Sequence, residues 1–179
     1  ETVLSITVVG GGPTGVEMAG AIAELKNGPL ANDHKGASSH IKVNIVEAGP
    51  RLLPSFSPLL SHRTKIDLEK LGVNVITDSI VKEVKPRQII FKDGNKIGSE
   101  VTIWAAGVTG EPAMQKLNIP TESGRISVTP TLQVTNYPHI FAIGDISGFK
   151  EGNGRFLPMV APVAMQQGRF VAKQIADLI

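Results

Sequence analysis

Cysteine is absent from the chain. Its absence excludes disulfide frameworks, thiolate metal sites and any dithiol redox pair among these residues. Charge of one sign is not concentrated anywhere: no five like charges run together, and the formal net charge is +2. Neither a nucleic-acid footprint nor a polybasic membrane anchor is therefore expected. Long apolar runs are missing too. Charge-free stretches such as Phe156 to Gly168, which contains Pro158 and Pro162, are shorter than the ~18 residues of a membrane span. Glu1 leads directly into strand-like sequence, so no secretory leader is read, and the opening without Met points to a fragment. What is present suffices for a core: 41% of the 179 residues are hydrophobic and 19% charged. That excludes disorder as the main state and suits one domain or slightly more.

Leu4 to Val9 is a short run rich in β-branched residues that ends in glycines, as a buried parallel strand would. Gly15 to Leu25 has helical spacing with small residues where a helix presses on a sheet, and Asn27-Gly28 closes it. Gly28 to His40 is polar and aperiodic, an expected surface insertion with mobility. Ile41 to Val46 reads as a second strand. Ser57 to Leu71 reads as a helix with Leu59, Leu60, Thr64, Leu68 and Leu71 on one face and Gly72 as its stop. Val73 to Thr77 is a third strand. Short segments at Val81–Val84, Gln88–Phe91 and Lys96–Ile97 suit an antiparallel meander, and Val101 to Ala106 returns as a strand that breaks at Gly107. Glu111 to Thr131 resembles a crossover, Leu132–Thr135 and Ile140–Ile143 read as strands, and a last helix runs from about Pro162 to Ile179. The order predicts an α/β fold: a Rossmann-like parallel sheet with helices on both faces and an antiparallel β-meander. The expected division is residues 1–110 and 111–179.

Gly10-Gly11-Gly12-Pro13-Thr14-Gly15 is a G-x-G-x-x-G run between a strand and a helix. Gly10 permits the tight turn, Gly12 lets backbone approach a pyrophosphate, and Gly15 allows close packing. The amides and positive dipole end of the helix, with Pro13 and Thr14 in the turn, then hold phosphate charge. A glycine-rich turn without a ligand is the plainer reading. A Walker A loop is excluded, because Val16-Glu17 occupies the place of Lys-Ser/Thr. Glu47 ends the second strand, where a carboxylate accepts ribose hydroxyls and repels a 2′-phosphate, favouring NADH; a solvated strand-end glutamate is the alternative. Its distance from Gly15 exceeds the usual ~20 residues, and the polar insertion accounts for the excess. Arg51 could still admit a phosphate. Glu17 has two readings of equal weight: a carboxylate facing the nicotinamide, or a first-turn partner of the helix dipole.

The run from Gly11 to Gly20 (GGPTGVEMAG) resembles the NADH-binding motif of the type II NADH:quinone oxidoreductases, single-chain flavoenzymes with two dinucleotide domains. Glu47 to Pro54 (EAGPRLLP) is similar to their second-strand end, and Trp104-Ala-Ala106-Gly107 to their strand leading out of the NADH domain. Thr135 to Asp145, ending Ile-Gly144-Asp145, resembles their second FAD motif. Ala161-Pro162-Val163-Ala164-Met-Gln166-Gln167-Gly168 resembles the segment lining flavin and quinone. Pro162 stands where the family commonly has Gln, and Ala21 where it often has Glu.

The resemblance implies that residues 111–179 are the distal part of an FAD-binding domain, because the superfamily's first glycine motif and its C-terminal membrane helices have no counterpart here. It implies NADH and FAD as cofactors, with the nicotinamide end near Glu17, Ala106 and Gly107. Asp145 would hold the flavin's ribityl–pyrophosphate portion, and the helix beginning near Pro162 would favour negative charge on reduced flavin. A quinone would accept electrons near Ala164, Gln166 and Gln167. The parent protein is expected at a membrane periphery, facing the NADH-containing compartment. The chain itself is expected to be soluble, to bind NADH without holding FAD well, and to self-associate or form a homo-oligomer through uncovered strand edges. Three other readings stand beside this one: a flavoprotein reductase acting on a ferredoxin, one acting on a disulfide, and an NADH-binding module without catalysis. His34, His40, His62 and His139 show no metal spacing. The spacing of Phe170, Val171, Ile175 and Leu178 predicts a core-facing helix side.

Overall fold

The computed structural model describes residues 4–34, 36, 38–108 and 119–177. Two compact units divide the chain between Gly107 and Val108.

In the first unit, β1 (Leu4–Val9), β2 (Ile41–Val46), β3 (Val73–Ile76) and β7 (Val101–Trp104) form a parallel sheet of order β3-β2-β1-β7. Alternation along the strands divides the sheet's apolar residues into two cores. Val8, Val43, Ile45 and Val73 pack with Ala19 and Ala23 of α1 (Pro13–Asn27) and Leu68 of α3 (Pro58–Lys70). Ala19 and Ala23 let α1 lie close to the strands. The opposite face carries Val9 and Val46, which pack on Ile89 and Phe91 of the antiparallel sheet β4 (Val81–Lys85), β5 (Gln88–Phe91) and β6 (Lys96–Gly98). The expected helices on both faces therefore become helices on one and a meander on the other. The segment joining β3 to β7 turns tightly at Arg87 (φ 61°) and Gly94 (φ 90°), which leaves no length for a crossover helix.

A polar row crosses the meander-side face. The Asn44 side-chain amide donates to Ser5 Oγ at 3.1 Å and Thr7 Oγ1 at 3.2 Å, and that of Asn74 donates to Asn44 Oδ1 at 3.1 Å. These groups lie in or beside the core, and each satisfies another.

Several element bounds differ from the sequence reading. The segment after Gly28 holds a short helix, α2 (Pro29–Asp33), because Pro29 opens a helix directly behind α1. Gly28 closes α1 by donating to Glu24 O at 2.8 Å without a left-handed φ, whereas Gly72 (φ +83°) stops α3 in the left-handed region. On α3 the inward positions are Ser61 and Leu68, while Leu59 and Leu60 are exposed. Ser61 is turned inward by its hydrogen bonds to the loop before the helix.

In the second unit, hairpins β8–β9 (Thr121–Glu122, Arg125–Ile126) and β10–β11 (Gln133–Val134, Tyr137–Phe141) gather Ile126, Val134 and Ala142 into a small core. The first hairpin lies inside the stretch read as a crossover, the start of which, residues 111–118, lies outside the described residues. Helix α4 (Ala161–Ala176) buries Gln167 and Val171. Phe170 and Ile175 are exposed rather than core-facing, since the inward stripe runs through Gln167 and Val171; Leu178 lies outside the described residues. Among the described residues no helix is long and apolar enough to cross a membrane.

Candidate functional site

At the end of β1 the chain makes a turn built from four glycines, three of which the protein itself requires. Gly10 donates to Val46 O at 2.7 Å with φ +114°, and a Cβ there would run into the carbonyl of Ala105. A Cβ on Gly11 would stand 2.7 Å from Leu52 Cδ2 and 2.9 Å from Glu47 Cβ. A Cβ on Gly15 would strike the Gly10 carbonyl oxygen. Gly12 is different: a Cβ there would meet nothing within 4 Å, and its φ of −73° suits any residue. Nothing in the fold explains why this position lacks a side chain.

Gly12 is the N-cap of α1, and its carbonyl accepts the first helical bond from Val16 N at 3.0 Å. The amides of Gly12, Thr14 and Gly15 have no acceptor within the helix, and no side chain caps them. Pro13 at the first helical position supplies no N–H but presets the helical φ. The open space at Gly12 is thus edged by main-chain donors at the positive end of a helix.

Glu47 follows β2 directly and is half-buried. Its Oε2 accepts from Gly11 N and its Oε1 from Gly49 N, both at 2.7 Å. Each carboxylate oxygen keeps a further lone pair, so Glu47 both braces the glycine turn and can accept hydroxyl donors. Arg51 does not turn toward this region as a free phosphate ligand. Its guanidinium donates to Phe56 O at 2.8 Å, Ser61 Oγ at 2.7 Å and Pro54 O at 2.8 Å.

Glu17 is exposed and lines an open groove between α1 and α3 with Gly20, Glu24, Thr64 and Asp67. Because α1 begins at Pro13, its first turn holds no acidic residue. The dipole reading of Glu17 loses its basis, since that effect fades beyond the first turn. Ala106 and Gly107 are exposed just past β7, with Gly107 at φ +95°. In the groove, the hydrogen bond from Arg63 Nε at 2.8 Å, helped by the charges of Arg63 and Lys70, holds the Asp67 carboxyl below the ordinary Asp range.

The second unit brings together another group of expected residues. Gly144 (φ +70°) and Asp145 form a tight 3₁₀ turn after β11. The Gly144 N–H donates to Gln167 Oε1 at 2.7 Å, and a Gly144 Cβ would lie 3.5 Å from Ala164 Cβ. Gln167 is only 7% exposed, so its amide ties α4 to the turn from beneath. Asp145, Pro162 and Gln166 are exposed, and Val163 and Ala164 half-buried. Helix α4 has Val160 as its N-cap, without a side-chain cap, and Pro162 in its first turn. Sequence reasoning missed the inward roles of Gln167 and Ser61. Gln167 had a legible signal, because Val163, Gln167 and Val171 repeat at four-residue spacing.

A family profile described as pyridine nucleotide-disulphide oxidoreductase matches residues 2–168. The chain belongs to this family. As a member it is similar to an internal alternative NAD(P)H-ubiquinone oxidoreductase A1 of mitochondria from Solanum tuberosum, 35% identical over 170 residues, 94% of this chain and 34% of that protein. It is also similar to a type II NADH:quinone oxidoreductase from Haemophilus influenzae, 36% identical over 182 residues, 99% of this chain and 41% of that protein. Among solved structures, NDH2 from Plasmodium falciparum in complex with NADH superposes with a TM-score of 0.74 at 31% identity, covering 82% of this chain and 32% of that one. The chain spans between about a third and two fifths of the length of the curated relatives it matches. The α/β fold and the resemblance carried by the motifs agree with these relatives. The disulphide half of the family's name has no counterpart in this chain, which contains no cysteine.

Proposed function

We propose that this chain is the NADH-binding portion, with part of the flavin-binding portion, of a type II NADH:quinone oxidoreductase. The observation that carries the reading is Gly12. A glycine that the fold does not need stands among uncapped helix amides and next to Gly11, whose N–H donates to Glu47. A dinucleotide diphosphate fits that combination, because backbone can approach it where a Cβ would intrude and the amides supply hydrogen bonds and positive potential. Pro13 and Thr14 shape the same turn. The free lone pairs of Glu47 would accept the ribose hydroxyls, and its charge opposes a 2′-phosphate. Glu17, Ala106 and Gly107 are assigned to the nicotinamide end.

FAD, when bound, would supply the redox chemistry that links NADH to a quinone. This chain's share is placement and electrostatics. Gly144 and Asp145 would hold the ribityl–pyrophosphate portion of FAD, in a turn that Gln167 keeps in shape. The uncapped start of α4 at Pro162, Val163 and Ala164 offers positive potential to negative charge on the ring. Exposed Gln166 is assigned to the quinone side, with Gln167 supporting it. A membrane periphery as the working location and a homo-oligomeric parent belong to the same proposal; the names of the quinone-reducing relatives support its quinone acceptor.

Calorimetric titration of the full chain with NADH tests the proposal. One equivalent should bind, and NADPH should bind more weakly. Glu47→Gln should narrow that difference by about tenfold through loss of one negative charge beside the ribose. A native chain that gives no heat with either nucleotide would refute the reading.

A further inference from the structure

The loop between Glu47 and α3 is bridged by a side chain of its own. Arg51 reaches across it to three neutral oxygens: Pro54 O at 2.8 Å, Phe56 O at 2.8 Å and Ser61 Oγ at 2.7 Å. Ser61 is 3% exposed and passes the connection on, its Oγ donating to Leu53 O at 3.3 Å. The same stretch of loop touches the glycine turn twice. The Leu53 N–H donates to Gly11 O at 2.7 Å. Leu52, 1% exposed, lies so close beneath Gly11 that a Cβ there would stand 2.7 Å from its Cδ2. Leu53 itself adopts φ 49°, a conformation unfavourable to a branched side chain and one that needs support from its surroundings.

We infer that Arg51 is a positioning residue for the nucleotide site, acting through Ser61 and the Leu52–Leu53 pair to fix the glycine turn, and that it is no ligand for a 2′-phosphate. This rests on the proposed NADH site. A planar guanidinium suits the task, since its forked donors satisfy separate acceptors at once, which a single ammonium on a flexible stem does less well. With those donors directed into the loop, Glu47 is the charged group bonded to the glycine turn. Selectivity against NADPH then follows from Glu47 alone, with no compensating cation from Arg51.

The test measures dissociation constants for NADH and NADPH on the full chain carrying Arg51→Met, Arg51→Lys or Ser61→Ala, together with the amide resonances of Gly11 and Leu53. Arg51→Met should weaken both nucleotides by the same factor, about tenfold or more, as displaced binding groups do. Both resonances should move in the nucleotide-free chain. Arg51→Lys should not restore affinity. Ser61→Ala should weaken NADH in the same direction by less, and it decides the matter should Arg51→Met not fold. Unchanged NADH affinity in the folded variants overturns the inference, as does a loss confined to NADPH, which would make Arg51 a phosphate ligand. A native chain that binds no NADH removes the proposed function and this inference with it. Native binding with indifferent variants removes the inference alone.

Discussion

Gly12 and Gly15 separate two reasons for a missing side chain. Gly15→Ala places a methyl on the Gly10 carbonyl, and overpacking of that kind costs about 1–3 kcal/mol, to be read as a lowered urea midpoint. Gly12→Ala meets open space and keeps an ordinary φ. Its melting temperature should stay within a degree or two of the native value, the shift expected of a change worth a few tenths of a kcal/mol, while NADH affinity falls. A Gly12→Ala chain that binds NADH as before would remove the argument from open space. Gln167→Leu probes the second unit in the same spirit. It leaves the Gly144 N–H without its acceptor, a loss of about 1–3 kcal/mol, visible in denaturant unfolding. The glycine pattern was legible because each position's constraint is local to the turn. The partners of Arg51 and Gln167 were not, since a side chain's hydrogen-bond acceptor depends on which elements pack beside it.

Helix α3 shows how element-level reading succeeds and fails. Its start at Pro58 after the N-cap Ser57, and its stop before Gly72, follow local rules. Its buried face does not, because apolar spacing points Leu59 and Leu60 inward whereas Ser61 is the inward residue. Apolar periodicity treats serine as an outward residue, and here a part-buried guanidinium contact reverses that. On the exposed side, Asp67 is held below the ordinary Asp range by its hydrogen bond from Arg63 and then by the charges of Arg63 and Lys70. A depressed carboxyl contributes stability above its unfolded value, about 4, and loses it as pH falls through the lower folded value. Arg63→Ala should bring the Asp67 titration back up toward that unfolded value, followed by carbon-13 NMR of the carboxyl, and added salt should shrink the difference. The hairpin Thr121–Ile126 passed unread although its cue was present. Ser123 and Gly124 both have positive φ, as a two-residue hairpin turn demands, but its strands are two residues long and carry no periodic signal.

At the scale of the whole molecule, the first unit has a core on each face of its parallel sheet, so its strands stand out as short β-branched runs and the α/β order is legible in the sequence. The second unit relies on short hairpins and one helix, where periodicity has little length in which to appear. Residues 1–107, produced alone, should unfold in one cooperative transition by circular dichroism and bind NADH as tightly as the full chain. A loss of binding would assign part of the nucleotide site to residues beyond Gly107. The amide–hydroxyl row through Ser5, Thr7, Asn44 and Asn74 bears on how that sheet assembles. Neighbouring strands of valine and isoleucine look much alike when slid along one another, so they tolerate misalignment. Sliding Asn44 to a place opposite Val9 would strand its amide against hydrocarbon, which penalises the wrong pairing. The two strand tips that deliver Gly10 and Glu47 consequently arrive level, before any nucleotide is present to align them.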